Sequence, residues 1–107
     1  MDYTGVKLML QGMSTNVSEA SEKIRMAFGF RKDWRALADW LREMAVAHLN
    51  FNQNGMKAVQ SCMNAMRSDP AHDDLSEGRL QAYDEWLDQI VADTADVQAM
   101  ISSYGKV

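Results

Sequence analysis

The apolar residues between Asp33 and Arg67 recur every three or four positions, and no proline interrupts them. Residues at this spacing share one face of an α-helix. Asp33 is a favourable N-cap, and Pro70, the only proline of the chain, marks the end because proline cannot continue a helix. A helix of this length spans roughly 50 Å, so the rest of the chain must pack along it.

The same segment contains a change of phase and a weak point. Two overlapping apolar series begin at the same tryptophan: Trp34, Leu37, Leu41 and Met44, and Trp34, Ala38, Leu41 and Ala45. A further series follows in a shifted phase: Leu49, Met56, Val59, Met63 and Met66. Residues 50–55 are rich in asparagine and end in glycine, both of which weaken a helix. Either the helix passes through with His48 and Asn52 near the apolar seam, or it breaks into 33–49 and 55–67. The spacing favours one continuous helix.

The segments on either side carry longer seams. Apolar or small residues alternate steps of three and four at Tyr3, Val6, Leu10, Met13, Val17, Ala20, Ile24 and Ala27, and again at Leu80, Tyr83, Leu87, Ile90, Thr94, Val97, Ile101 and Tyr104. An average spacing of 3.5 is typical of helices packed in a bundle. Gly12 and Ser14-Thr15-Asn16 weaken the first segment, so a second start at Asn16 is an alternative to one helix.

Three seams of similar length, joined by short polar turns, predict an all-α, up-down-up antiparallel three-helix bundle. The predicted helices cover roughly residues 3–28, 33–67 and 76–104, with breaks near 12–16 and 50–55 as alternatives. No strand pattern, internal repeat or long linker is visible, so we expect one domain over residues 1–107.

The composition narrows the classes of function. Residues 1–67 carry nine basic and six acidic side chains, whereas residues 68–107 carry two basic and nine acidic ones. An acidic chain without a basic stripe argues against nucleic acid as a partner. No apolar run reaches the length of a membrane span, and the start lacks the order of a secretory signal. Cys62 stands alone, so no internal disulfide forms, and we expect a cytoplasmic protein.

Catalytic and metal-binding patterns are weak. His72-Asp73-Asp74 with Glu77 lacks the spacing of a calcium loop or a di-iron bundle, so a solvated turn is the preferred interpretation. Cys62 faces a methionine-rich stripe and is expected to be a small core residue. No phosphate-binding loop or nucleophile elbow occurs. We therefore expect no enzyme activity, no cofactor and no metal site.

Binding to another protein is the leading hypothesis, and an acidic face of the last helix is its first candidate surface. Glu77, Asp84 and Asp88 recur along one side of this helix, with Glu85 beside them, and no basic residue lies three or four positions from Asp84 or Asp88. Across the bundle, only Lys57, Lys7 and Arg67 lie within reach, so the charge looks under-compensated within the monomer and a partner with a basic surface is predicted. Pairing within the bundle and a solvated face are the alternatives. Trp40 and Trp86 lie beside the seams and are predicted partner anchors, although widening of the core is the alternative.

Self-association is the rival hypothesis. If the helices are laid antiparallel from their predicted ends, residues 61–67 and 76–82 extend past the first helix as a two-helix tip. Met63, Met66 and Leu80 would then be less covered than other seam residues and would form a homodimer contact. A structural, self-assembling subunit is thus the alternative function, and a small metal-binding or enzymatic bundle is a more distant one.

Overall fold

The computed structural model describes residues 3–106, so Met1, Asp2 and Val107 of the predicted domain lie outside the described residues. Three helices follow one another: α1 (Thr4–Phe30), α2 (Arg35–Arg67) and α3 (Asp74–Gly105). No strand occurs within residues 3–106. The predicted all-α three-helix bundle is confirmed, with helix ends within two residues of the expected ones. The Cα atoms span 59 × 17 × 15 Å, which is the shape of long helices lying side by side.

Both weak points are helical in the structure. α1 runs through Gly12 and residues 14–16, and α2 runs through residues 50–55 without a break. The helix ends differ slightly from the expectation. Asp33 lies outside α2, whose N-cap is Trp34 without a side-chain hydrogen bond, whereas Asp73 caps α3 by accepting a hydrogen bond of 2.8 Å from the backbone N–H of Ser76.

The core is a single cluster to which all three helices contribute. The seams of α1 and α3 are those that the sequence predicts, with Tyr3 and Tyr83 only partly buried at the edge. The buried residues of α2 are Ala38, Leu41, Ala45, Leu49, Asn52, Val59, Met63 and Met66. Leu37 and Met44 are not among them, so the seam follows the predicted alanine-containing series, except for Trp34 at its start, which is exposed.

α1 and α2 pack closely because small residues line their contact. Ala20 and Ala27 on α1 and Ala38 and Ala45 on α2 are fully buried. At Gly55 a Cβ atom would come within 2.9 Å of the Met13 sulfur, so the glycine leaves room for that side chain. Close approach of two helices requires small side chains at the crossing.

A polar layer fixes the alignment of these two helices. Asn52 is fully buried, and its side-chain amide donates a hydrogen bond of 2.9 Å to the carbonyl oxygen of Met13. One turn away, Nδ1 of His48 lies 2.8 Å from Oδ1 of Asn16. Displacing α2 along α1 would separate these pairs and leave buried polar groups without partners, so they favour one register.

The predicted two-helix tip is wrong. Met63, Met66 and Leu80 are all buried in the monomer. The reason is the position of α1, which begins level with the first turns of α3: Tyr3 lies 6.2 Å from Tyr83 between ring centroids, and the Arg79 guanidinium lies over the Tyr3 ring. The start of α1 therefore covers the end that was expected to protrude.

Candidate functional site

The acidic face of α3 is partly neutralised within the chain. Nε of Arg67, at the end of α2, donates to both carboxylate oxygens of Glu77 at 3.2 and 3.3 Å, and its Nη2 donates to Asp84 at 2.6 Å. His72, in the turn between the helices, adds a contact of 2.7 Å from Nε2 to Glu77. Arg67 is long enough to reach two successive turns of α3, so the predicted lack of compensating charge is wrong for Glu77 and Asp84.

The same contacts shift the ionisation of this cluster. The Arg67 guanidinium, with a smaller contribution from His72, holds the pKa of Glu77 below its ordinary value of 4.5. In return, the hydrogen bonds to Asp84 and then Glu77 raise the pKa of Arg67. These carboxylates therefore stabilise the junction of α2 and α3, and they are less available to a basic partner.

Glu85 and Asp88 remain from the predicted acidic surface. Both are exposed, and neither forms an ion pair within residues 3–106. Exposed carboxylates are also ordinary on a helix face that contacts only solvent. The structure thus reduces this candidate surface from four acidic residues to two.

The two tryptophans predicted as anchors have different positions. Trp86 is half-buried and packs against the core, and its indole N–H donates a hydrogen bond of 2.9 Å to the hydroxyl of Ser14 on α1. Its contacts between α1 and α3 fit the alternative of a widened core, and less of the side chain is left for a partner than at Trp40. Trp40 is 56% exposed and stays a candidate anchor.

Trp40 belongs to an apolar stripe on the surface of α2, and the sequence spacing predicts two members of this stripe, Leu37 and Met44, to be in the core. Its members, called the α2 stripe, follow one another by steps of three and four: Leu37, Trp40, Met44, Ala47 and Phe51. Phe51 is 68% exposed and Leu37 is 36% exposed. Large apolar side chains arranged contiguously at the surface are typical of protein interaction sites, whereas single ones are ordinary.

The α2 stripe borders a shallow depression on the α1 side of α2. Asn16, Met44, Ala47, His48 and Phe51 line this depression, which has a volume of about 410 Å³. Residues 44–56 of α2 contain no Asp, Glu, Lys or Arg, so its central part is uncharged. Such a surface suits an apolar helix face better than a small charged ligand.

A second depression lies between α1 and α3 and has a volume of about 540 Å³. Its floor includes Val17, Val97 and Met100, and its edges carry Glu22, Arg25, Asp93 and Asp96. It is an open groove along the two helices, and the large exposed aromatic side chains of the α2 stripe do not line it. We therefore regard it as a secondary surface.

The groups that could carry chemistry are dispersed. Within residues 3–106, no three His, Cys, Asp or Glu side chains are placed to hold a metal ion together. His72 and Glu77 form a pair, and Cys62 is half-buried beside the core. In the same part of the chain, no helix has the length and apolar character needed to cross a bilayer.

The fold and these surfaces define the class as a three-helix bundle with one exposed apolar stripe. Comparison with models of protein families, with curated proteins and with solved structures gave no match. The functional argument therefore rests on the surfaces of this molecule alone.

Proposed function

We propose that this protein acts by binding a protein partner, as an inhibitor, adaptor or assembly subunit, and that the α2 stripe is its contact surface. The observation that supports the proposal most is the exposure of Trp40 and Phe51 on one face of one helix. Tryptophan is among the residues that contribute most to binding energy at interfaces, and keeping two large rings in water is unfavourable unless a partner covers them.

The electrostatic part of the proposal is smaller. Glu85 and Asp88 are the carboxylates of the acidic face that are left to meet a basic partner surface. They lie on α3, outside the α2 stripe, and charges outside the contact mainly change the association rate and its salt dependence. We also propose a cytoplasmic location, which the single Cys62 supports because a reducing compartment makes no demand for disulfides. No catalytic step is part of the proposal.

Site-specific photo-crosslinking in cells that produce the protein tests this function. A benzoyl-phenylalanine at position 51 should give one or more defined protein adducts, and Trp40→Ala in the same chain should reduce their yield. The control places the crosslinker at Gln53, which is exposed on a different side of α2. Adducts that are equal at both positions, or absent at position 51, would contradict binding through the α2 stripe.

A further inference from the structure

We propose that the partner on the α2 stripe is a second copy of this chain, with the two α2 helices packed antiparallel about a two-fold axis between residues 45 and 46. This inference rests on the proposed function, since it names the occupant of the same surface. A self-complementary surface is what a two-fold dimer needs, because each residue of the patch meets a residue of the same patch.

The order of side chains along the stripe fits this pairing. An antiparallel alignment about that axis places Met44 opposite Ala47 of the second copy and Trp40 opposite Phe51 of the second copy. The first layer combines a large and a small side chain, and the second combines two aromatic rings. Complementary sizes allow the helices to approach, and aromatic pairs add to the burial of apolar area.

The charges also allow two copies to meet. Residues 44–47, which the axis pairs with each other, carry no charge and lie at the centre of the contact. Next to this centre, the alignment brings Glu43 level with His48 of the second copy, so it sets no two carboxylates against each other there. Charge depletion at the centre, with aromatic residues and methionine enriched, is typical of protein interfaces.

The acidic helix lies outside the proposed contact. The depression beside the stripe is lined by α1 and α2, whereas α3 lines a different depression on α2 with Val46, Leu49 and Asn50. Pairing through the stripe therefore leaves α3, with its excess of acidic residues, away from the centre of the dimer. The occupant of the uncharged stripe must itself be apolar where it meets the stripe, and the stripe of a second copy has this property.

The size of the contact predicts a reversible dimer. Residues 37–54 cover about 26 Å of helix, and a contact confined to one helix of each copy is expected to be smaller than the standard specific interface of roughly 1,600 Å² in total. We therefore expect monomer and dimer to exchange with concentration.

Sedimentation velocity over a wide range of concentrations tests the dimer. We expect Phe51→Asp to weaken dimerisation by at least about tenfold, because each of the two copies in the dimer carries the substitution in the contact. Leu8→Asp is the matched control: Leu8 is 61% exposed on α1 and does not line the stripe. A wild-type chain that stays monomeric at every concentration, or a dimer that both substitutions weaken equally, would overturn the proposal.

Cysteine pairing tests the alignment. In a Cys62→Ser background, Met44→Cys and Ala47→Cys chains are mixed and oxidised, and we expect the mixed 44–47 disulfide to exceed both symmetrical ones. Mixing Met44→Cys with Gln53→Cys is the control and should give little product. Equal yields for all pairs would overturn the proposed alignment.

The two proposals fail in distinguishable ways. A monomeric wild type whose crosslinker at position 51 captures a different protein overturns the second-copy inference and leaves the proposed function standing. An adduct at twice the 12.1 kDa chain mass, together with the expected loss of dimer in Phe51→Asp, supports both. Monomer without any adduct contradicts both.

Discussion

Similar apolar residues are buried near the C-terminus of α2 and exposed in its N-terminal half. Near its C-terminus, Val59, Met63 and Met66 are buried, and Arg67 is paired with carboxylates of α3. In the N-terminal half, Trp40 and Phe51 remain at the surface. Both ends show the spacing of an amphipathic helix, so the spacing alone does not tell which apolar residues a neighbouring helix covers.

The difference arises from what surrounds each end. The C-terminal end meets the start of α1 and the first turns of α3, and both helices cover its apolar side chains. The N-terminal half packs its alanines against α1 and leaves one flank open on that side. A contact between molecules is therefore expected at the open flank and not at the covered end.

Replacement of a core residue at the covered end should have the largest effect. Leu80 is fully buried, and we expect Leu80→Ala to reduce the free energy of unfolding by about 2–5 kcal/mol, since it removes apolar burial and leaves a cavity. Leu75→Ala on the same helix is the control: this side chain is 86% exposed, and its loss should change stability by less than about 0.5 kcal/mol. Urea unfolding measures both. Equal losses of stability from the two substitutions would mean that α1 and α2 do not cover Leu80.

Removal of the Arg67 ion pairs at the junction of α2 and α3 should have an intermediate effect on stability, and this effect should depend on pH. Glu77 has a lowered pKa in the folded chain, so its contact with Arg67 stabilises the fold above pH 4.5 and loses this effect as the pH falls and the carboxylate is protonated. We expect Arg67→Met to lower the melting temperature at neutral pH, and this difference from the wild type should shrink in acid.

Arg79→Met is the control for the junction. Arg79 lies over the Tyr3 ring and forms no ion pair in the described part of the chain. Its effect on the melting temperature should not follow the ionisation of Glu77. A gap between Arg67→Met and wild type that is the same at every pH would contradict a role for the Glu77 contact.

A substitution on the open flank of α2 should have the smallest effect on the stability of the monomer. We expect Phe51→Ser to change the free energy of unfolding of the dilute, monomeric protein by at most about 0.5 kcal/mol, because the ring is mainly exposed before and after folding. Urea unfolding at low concentration measures it. A loss as large as that of Leu80→Ala would show that Phe51 belongs to the core.

The sequence allowed the prediction of the three helices and of two of the three seams. The spacing in α1 and α3 was sufficient because large apolar residues, such as Leu10 and Ile90, fill one face and few compete for another. The seam of α2 was harder to predict because two apolar faces overlap there. A ranking by hydrophobicity favours Leu37 and Met44, but close packing against α1 selects Ala38 and Ala45, whose small size is the decisive property.

The candidate site was predicted only in part. Trp40 was recognised as lying beside the seam, whereas Phe51 was read as part of a weak segment rich in asparagine. The step from Met44 through Ala47 to Phe51 was the available signal. The antiparallel register places Arg67 within reach of the acidic face, but positions in the sequence do not give the conformation of this long side chain, on which its pairing with both Glu77 and Asp84 depends.

The attachment of α3 has a consequence for the cooperativity of the fold. Its start is held by Arg67, and its end by the hydroxyl of Tyr104, which donates a hydrogen bond of 2.6 Å to Asp39. Between these clamps, open grooves run beside α3 on both the α1 and the α2 side. α3 also has fewer contacts with α1 and α2 than those two helices have with each other, and elements with a lower contact density open locally at a lower free energy than the rest of a fold. We expect the α1–α2 hairpin to persist as the last folded unit, with α3 as an acidic arm that detaches first.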